Sequence, residues 1–326
     1  MYSKIRTLTD EITLAKTRID IPRDAVVDQF FIKFSAKVKN AGAAEWTGKL
    51  EHILKAIEEI RIVSDGSTVH YALSAVDAVI LDKFNSPNGF APNLAEAVTI
   101  AAGAEVEKTF TLRLDEGDIL AASKDNLEMK IVLGTIATDV TFTSLVGEVS
   151  IVENVLSPQE FAANYGASNE YAAEPKVYAL SEKVNVSTDL QSALDLPTGS
   201  LHRAAVLCFI GDTGLVGGAD PTKIGLINTS PDRREVLNVD WATLRSFNAS
   251  EYDLGGAAPA GVAMLNYAKD VTADGFGLRA WRFTKGDWQV AVKSPNAATL
   301  RYICLEHVLN TAVFDAQERA QLELTR

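Results

Sequence analysis

LPTGSLHRAAVLCFIGDTGLVGGADPTKIGLINTSPDRREVLNVDWATLRSFNASEY, residues 196–252, is the stretch that decides the fold. It reads as a turn, an apolar strand over Leu201–Ile210, a glycine-rich loop and a second strand. A polar hairpin and a short amphipathic helix follow. The same grammar stands earlier, from Val26 to Phe84. There VVDQFFIKFSAKVKN is the strand, AGAAEWTGKL the loop, AIEEIRIV the second strand, SDGSTVHY the hairpin and LSAVDAVILDKF the helix. Setting Val26 against Leu201 gives an offset of 201 − 26 = 175, about half of the 326 residues. The repetition is one of architecture and not of residue identity. It implies one β-domain written twice, end to end.

The bulk numbers agree. A chain of 326 residues exceeds what one core organises, so two domains of about 150 residues are expected. With 47% hydrophobic and 23% charged residues the composition is that of a globular protein. A net charge of −12 speaks against broad contact with a phosphate backbone, which needs clustered Lys and Arg. The only cysteines, Cys208 and Cys304, do not make a disulfide scaffold, so a reducing compartment is expected. No apolar run is long enough to span a bilayer, and MYSKIRTLTDEITL lacks the apolar centre of a signal peptide.

Outward from the two repeats, residues 1–25 alternate weakly and carry Lys4, Arg6, Lys16 and Arg18. They read as a basic arm for a lipid surface or a neighbouring subunit, or as a terminal strand edging the first domain. Val26–Lys39 places Phe30, Ile32, Phe34, Ala36 and Val38 on one face and Lys33, Ser35, Lys37 and Lys39 on the other, which is a half-buried antiparallel strand. Asp65-Gly66 predicts a two-residue hairpin, and Leu73–Phe84 a helix capped at or near Ser74. The stretches Ala41–Lys49 and Asn85–Gly103 read as loops. Strands return at Val106–Leu114, Leu127–Leu133 and Val140–Val152, the last with a phase shift near Ser144 that predicts a bulge. The domain junction falls in residues 153–176. In the second half, Leu201–Ile210 is apolar on both faces and predicts a strand buried on both sides. Further strands are expected at Val177–Val186, Leu190–Leu196, Val262–Ala268, Leu278–Phe283, Trp288–Val292 and Leu300–Val308, and a helical tail at Thr311–Leu324. Each half thus holds roughly eight strands with one helix after the fourth, an all-β sandwich or jelly roll.

No catalytic constellation emerges. His52, His70, His202 and His307 form no His-x-His or His-x-x-x-His pair, which a cupin-type metal site would need. GDTGLVGGAD follows a strand but matches no phosphate-loop pattern and precedes a strand, not a helix. It reads as a surface loop. Asp115, Glu116 and Asp118 have plausible calcium spacing but no EF-hand context, so a solvated turn is expected. Cys208 and Cys304 read as buried small residues. Trp46, Trp241, Trp281 and Trp288 read as core or interface. No catalytic, cofactor-binding or metal-ligating residue is nominated, and no cofactor is expected. The chain reads as a non-enzyme whose product is shape.

Two such halves, carried by SALDLPTGSLHRAAVLCF (Ser192–Phe209) and by FFIKFSAKVKN…IEEIRIVSDGSTVHYALSAVDAVILDKF, resemble the double-jelly-roll major capsid proteins of tailless icosahedral viruses. This is the lineage of adenovirus hexon and of several viruses with an internal membrane. The resemblance covers nearly all of residues 26–310. It implies two tandem eight-stranded jelly rolls: an arm at 1–25, a first jelly roll at 26–155, a linker at 156–176, a second jelly roll at 177–310 and a tail at 311–326. It further implies a homotrimer that forms a pseudo-hexagonal capsomer of the virion, assembled in the host cytoplasm. Implied partners are neighbouring capsomers, minor capsid or penton proteins and, through the N-terminal arm, an internal membrane surface; nucleic acid is not among them. The loops at Ala41–Lys49, Asn85–Gly103, Gly211–Pro221 and Gly255–Gly261 would lie at the outer surface or between subunits. The alternative is a carbohydrate-binding or spike-type β-sandwich module, which calls for exposed coplanar aromatics. The jelly-roll reading also places the strand of Cys208 beside that of Cys304, with two unbonded thiols near one another.

Overall fold

The chain divides into two compact units, Met1–Gly166 and Ala167–Arg326. The computed structural model describes residues 2–86, 89, 91–160, 173–197, 200–229, 233–254, 260–267 and 288–309. The expected strand at 278–283 with Trp281, the hairpin at Pro231, most of the loop at 255–261, much of the linker and the tail at 311–324 lie outside the described residues.

In the first unit the elements run β1 (Tyr2–Thr7), β2 (Ile12–Thr13), β3 (Arg18–Asp20), β4 (Val26–Asn40), β5 (Trp46–Lys49), α1 (Leu50–Lys55), β6 (Ile57–Ser64) and β7 (Thr68–Leu73). Then come α2 (Ala75–Asn85), β8 (Ala97–Ile100), β9 (Glu105–Leu114), β10 (Leu127–Leu133) and β11 (Val140–Val155). One sheet has the order β1-β11-β4-β9, with β2 also on β11; a second run has the order β7-β6-β10-β3; β5 and β8 pair on their own. Leaving out the short β2, β5 and β8, the first sheet joins the first, eighth, third and sixth strands. The second joins the second, seventh, fourth and fifth. All these pairs are antiparallel. That is the double Greek key of a jelly roll.

The second unit repeats the wiring. Its elements are β12 (Ala173–Val184), β13 (Gln191–Asp195), β14 (Leu201–Ile210), β15 (Lys223–Asn228), β16 (Arg234–Asp240), α3 (Trp241–Glu251), β17 (Val262–Leu265), β18 (Trp288–Lys293) and β19 (Ala298–Leu309). The orders β17-β14-β19-β12 and β13-β18-β15-β16 again join first, eighth, third and sixth, then second, seventh, fourth and fifth. Val26 and Leu201, matched in the sequence, both open the third strand of their units.

Several expectations change. The inserted helix follows the fifth strand of each unit, α2 after β7 and α3 after β16, and not the fourth. Residues 1–25 are no free arm: they supply β1, β2 and β3, so the first jelly roll begins before Val26. Of the two readings of this segment the terminal strand is the one found, although β1 buries none of its residues and β3 has only three. Ala41–Lys49 and Asn85–Gly103 are not wholly loops, since β5 and β8 pair with one another.

Local chemistry explains the elements that were read correctly. On β4 the face carrying Phe30, Ile32, Phe34, Ala36 and Val38 is buried; each large side chain contributes about 1.5–3 kcal/mol by leaving water. Asp65 and Gly66 take φ of 52° and 74° at the β6–β7 hairpin. Ser74 caps α2: its Oγ accepts from Asp77 N at 3.2 Å, while Asp77 Oδ2 accepts from Ser74 N at 2.9 Å. The register of β11 on β4 shifts between Phe142 and Ser144, the expected bulge. The core of the second unit gathers Leu207, Phe209, Trp241, Val290, Leu300 and Tyr302, with the rings of Phe209 and Trp241 at 5.1 Å and 80°.

The cysteines divide the reading. β14 and β19 are antiparallel neighbours as expected, but Cys304 stands opposite Ala205 and Cys208 opposite Arg301. The offset is odd, so Cys304 faces the core and Cys208 the reverse side of the sheet. The thiols are buried and unbridged but do not meet.

Candidate functional site

Among the described residues, a gathering of chemistry-bearing groups lies in the second unit, where β12, β19 and β14 run side by side. Antiparallel register sets Lys176, Glu306 and His202 in one row across the three strands, with Tyr178 and Cys304 paired in the row above. Glu306 is 2% exposed. Tyr178 donates its hydroxyl proton to Glu306 Oε1 at 2.6 Å, and Lys176 Nζ donates to Oε2 at 3.2 Å. His202 Nε2 lies 2.9 Å from Pro197 O and 3.7 Å from Glu306 Oε1. Beyond it, Tyr267 and Tyr302 share a hydrogen bond between hydroxyls at 2.8 Å.

The electrostatics are those of a closed network. Burial holds the His202 imidazole below its ordinary pKa, against the pull of Glu306. Burial, and then the charge of Glu306, push the Cys304 thiol up, away from the thiolate a nucleophile needs. Burial likewise raises the Tyr178, Tyr267 and Tyr302 phenols. A carboxylate held by two donors in a dry sheet ties strands together; general acid–base work needs a group that meets substrate near the operating pH.

The remaining histidines serve other local tasks. His52 Nδ1 accepts from Lys49 N at 2.9 Å at the start of α1, and its ring stands edge-on to Trp46 at 5.9 Å. His70, buried, shares a hydrogen bond of 2.8 Å with Ser64 Oγ. His307 is held down to about 4 by burial and then by Arg203. The structure does not bring the four together.

The glycine-rich loop is built for close packing. Gly217 and Gly261 take φ of 91° and 69°, and a Cβ on Gly261 would stand 2.4 Å from Gly217 N. Gly217 N donates to Phe209 O at 3.0 Å and Phe209 N to Gly261 O at 2.8 Å. Both of these amides are taken up within the fold. In the acidic run, Glu116 is buried, its N–H donates to Tyr71 Oη at 3.0 Å, and its carboxylate accepts from Asn85. Among the described residues no group of three or more His, Cys, Asp or Glu side chains is placed to hold a metal ion. An apolar groove of about 630 Å³ runs beneath α3, lined by Leu226, Leu237, Leu244, Phe247, Met264 and Tyr267. Trp241 and Trp288 are core residues. Among the described residues no helix is long and apolar enough to cross a membrane.

Lys4, Arg6, Lys16 and Arg18, four of the five cations in the first 25 residues, each meet a carboxylate of the first unit. Lys4 lies 3.3 Å from Glu153, Lys16 3.0 Å from Asp10, and Arg6 3.1 Å from Asp24; Arg6 also holds Glu153, and Arg18 holds Glu128. Sequence reading missed Glu153 and Glu306 altogether, because nothing in their neighbourhood marks a carboxylate that tertiary pairing will bury.

Comparison with known proteins places the architecture. No protein-family model and no curated protein matches the chain. Solved structures do. The crystal structure of the STIV MCP, a major capsid protein, aligns with a TM-score of 0.81 over 95% of this chain and 98% of that one, at 18% identity. The fold is the double jelly roll. The atomic structure of Sulfolobus Turreted Icosahedral Virus gives a TM-score of 0.81 over 94% of this chain and 91% of that one, at 18% identity. The major capsid protein P2 of Bacteriophage PM2 shares the double jelly roll at a TM-score of 0.57 and 10% identity, covering 94% and 98%. At such identities the likeness is one of fold, held by burial pattern and strand wiring and not by shared residues.

Proposed function

We propose that this chain is the coat subunit of an icosahedral virion, acting by shape and not by catalysis. The observation that carries the reading is the duplication: one eight-strand wiring occurs twice in a single polypeptide. Three copies would bring six similar barrels together, and closed symmetry turns six similar barrels into a pseudo-hexagonal tile. The partners are then two further copies, neighbouring capsomers and minor capsid or penton proteins. The place is the virion shell, assembled in the host cytoplasm. Membrane contact is not assigned to Lys4, Arg6, Lys16 and Arg18, since each of these sits on a carboxylate.

The carbohydrate-binding alternative fares less well, because Trp241 and Trp288 are 3% and 8% exposed and offer no sugar platform. Light scattering or native mass spectrometry tests the proposal. The expected result is three times the chain mass, with a six-lobed outline by electron microscopy. A monomer that persists at high concentration overturns it.

A further inference from the structure

Strand β1 differs from the other strands of its sheet in what holds it. None of its six residues is buried, whereas β4 buries eight of fifteen. Its large apolar side chains, Tyr2 and Ile5, are 62% and 73% exposed. It stands at the sheet edge, and its neighbour in that sheet is β11. The ladder sets Tyr2 and Ile5 opposite Val155 and Val152, and its remaining side-chain contacts are polar. Ser3 Oγ donates to Asn154 Oδ1 at 2.5 Å, and the hydroxyls of Thr7 and Ser150 share a hydrogen bond at 2.8 Å. Lys4 Nζ lies 3.3 Å from Glu153 Oε2, and Arg6 holds the other oxygen. The Glu153 side chain is 0% exposed, and both of these cations belong to β1. Directly after Thr7 the balance reverses. Leu8 is 8% exposed, its N–H donates to Val149 O at 2.8 Å, and Ile12 is fully buried.

A docked strand loses conformational freedom at every residue and regains stability chiefly through apolar burial. β1 orders six residues with little such burial, so its backbone ladder alone leaves docking close to balance. The charges then decide. A carboxylate taken out of water is tolerated only while its partners are in place. Glu153 therefore favours the state in which Lys4 and Arg6 lie across it.

We infer that β1 is a detachable strand latched by Glu153. Residues 2–7 leave and rejoin the edge of β11 as a unit, while the chain from Leu8 onward stays anchored. Once open, residues 150–155 present an unpaired strand edge. The strand that satisfies this edge must set a hydroxyl against Asn154, two cations against Glu153 and a hydroxyl against Ser150. A second copy of this chain carries that strand in its own β1. The edge is thus a site of β-strand addition whose partner is the N-terminal strand of another copy. This inference does not depend on the coat role.

Hydrogen exchange on the full chain tests the opening. The amides of residues 3–7 should exchange roughly 100-fold faster than those of Phe30–Val38. Glu153→Gln should speed β1 by about a further tenfold, a charge-assisted contact becoming a neutral one, while β4 changes less than about twofold. A labelled peptide of residues 1–8 should bind the full chain saturably, and a peptide carrying Lys4→Ala and Arg6→Ala about tenfold more weakly. Protection of β1 equal to that of β4 overturns the inference, as does equal binding of the two peptides. So does a Glu153→Gln effect that spreads equally to β4.

Discussion

Replacing Tyr178 by Phe removes a single hydroxyl from the Glu306 network and leaves the ring in place. That hydroxyl donates to a carboxylate oxygen at 2.6 Å, and the carboxylate is 2% exposed. Hydrogen bonds to charged acceptors contribute about 1.5–3 kcal/mol, and a half-buried donor belongs toward the lower end, about 2 kcal/mol. The second unit spans Ala167–Arg326, or 326 − 167 + 1 = 160 residues. For that size a loss of about 2 kcal/mol lowers Tm by roughly 4–8 °C. Urea unfolding followed by tryptophan fluorescence measures it, since Trp241 packs edge-on to Phe209 in the core of this unit. The midpoint should fall with the slope unchanged. In a Glu306→Gln background the acceptor is neutral, and Tyr178→Phe should cost only about 1 kcal/mol. A cost below about 0.5 kcal/mol, or the same cost in both backgrounds, would refute the account of Glu306 as the charged centre of the network.

Acidification should act through His307 and Asp28 with opposite sign. His307 is held down to about 4, below its unfolded value, so its contribution is full above about pH 6.5 and is lost as pH falls toward 4, about 3 kcal/mol in all. His307→Gln should flatten that loss in unfolding curves taken from pH 7 to 4. Asp28 is pushed up to about 6 by burial, then by Asp118 and Asp115, so it destabilises the fold above that pH and the cost fades on acidification. Asp28→Asn should therefore stabilise the first unit at pH 8 and make no difference at pH 4. Among glycines, Gly66→Ala should cost about 1–2 kcal/mol, because φ is +74° and nothing lies within 4 Å of the new Cβ. Gly261→Ala adds an overlap with the Gly217 backbone to the same strain and should cost about 3 kcal/mol or more by thermal unfolding.

Much of this fold is legible residue by residue. The alternation of Phe30 to Val38, the Asp65-Gly66 turn, the Ser74 cap and the slip near Ser144 are local signals, and each is found where it was read. The first two strands were only partly legible, as a single terminal strand set against an arm. β1 has no buried face to write an apolar pattern, and β3 has three residues, fewer than any periodicity needs.

Alternation, turn chemistry and the halved repeat thus determined an all-β chain in two like parts, because side-chain direction along a strand depends only on the residues within it. The tertiary structure alone decided which strands lie side by side, for partners such as β1 and β11 are about 150 residues apart. It also decided the fate of the charges. Glu153 and Glu306 look in sequence like ordinary surface acids, and only the strands laid across them make each the buried centre of its own polar cluster.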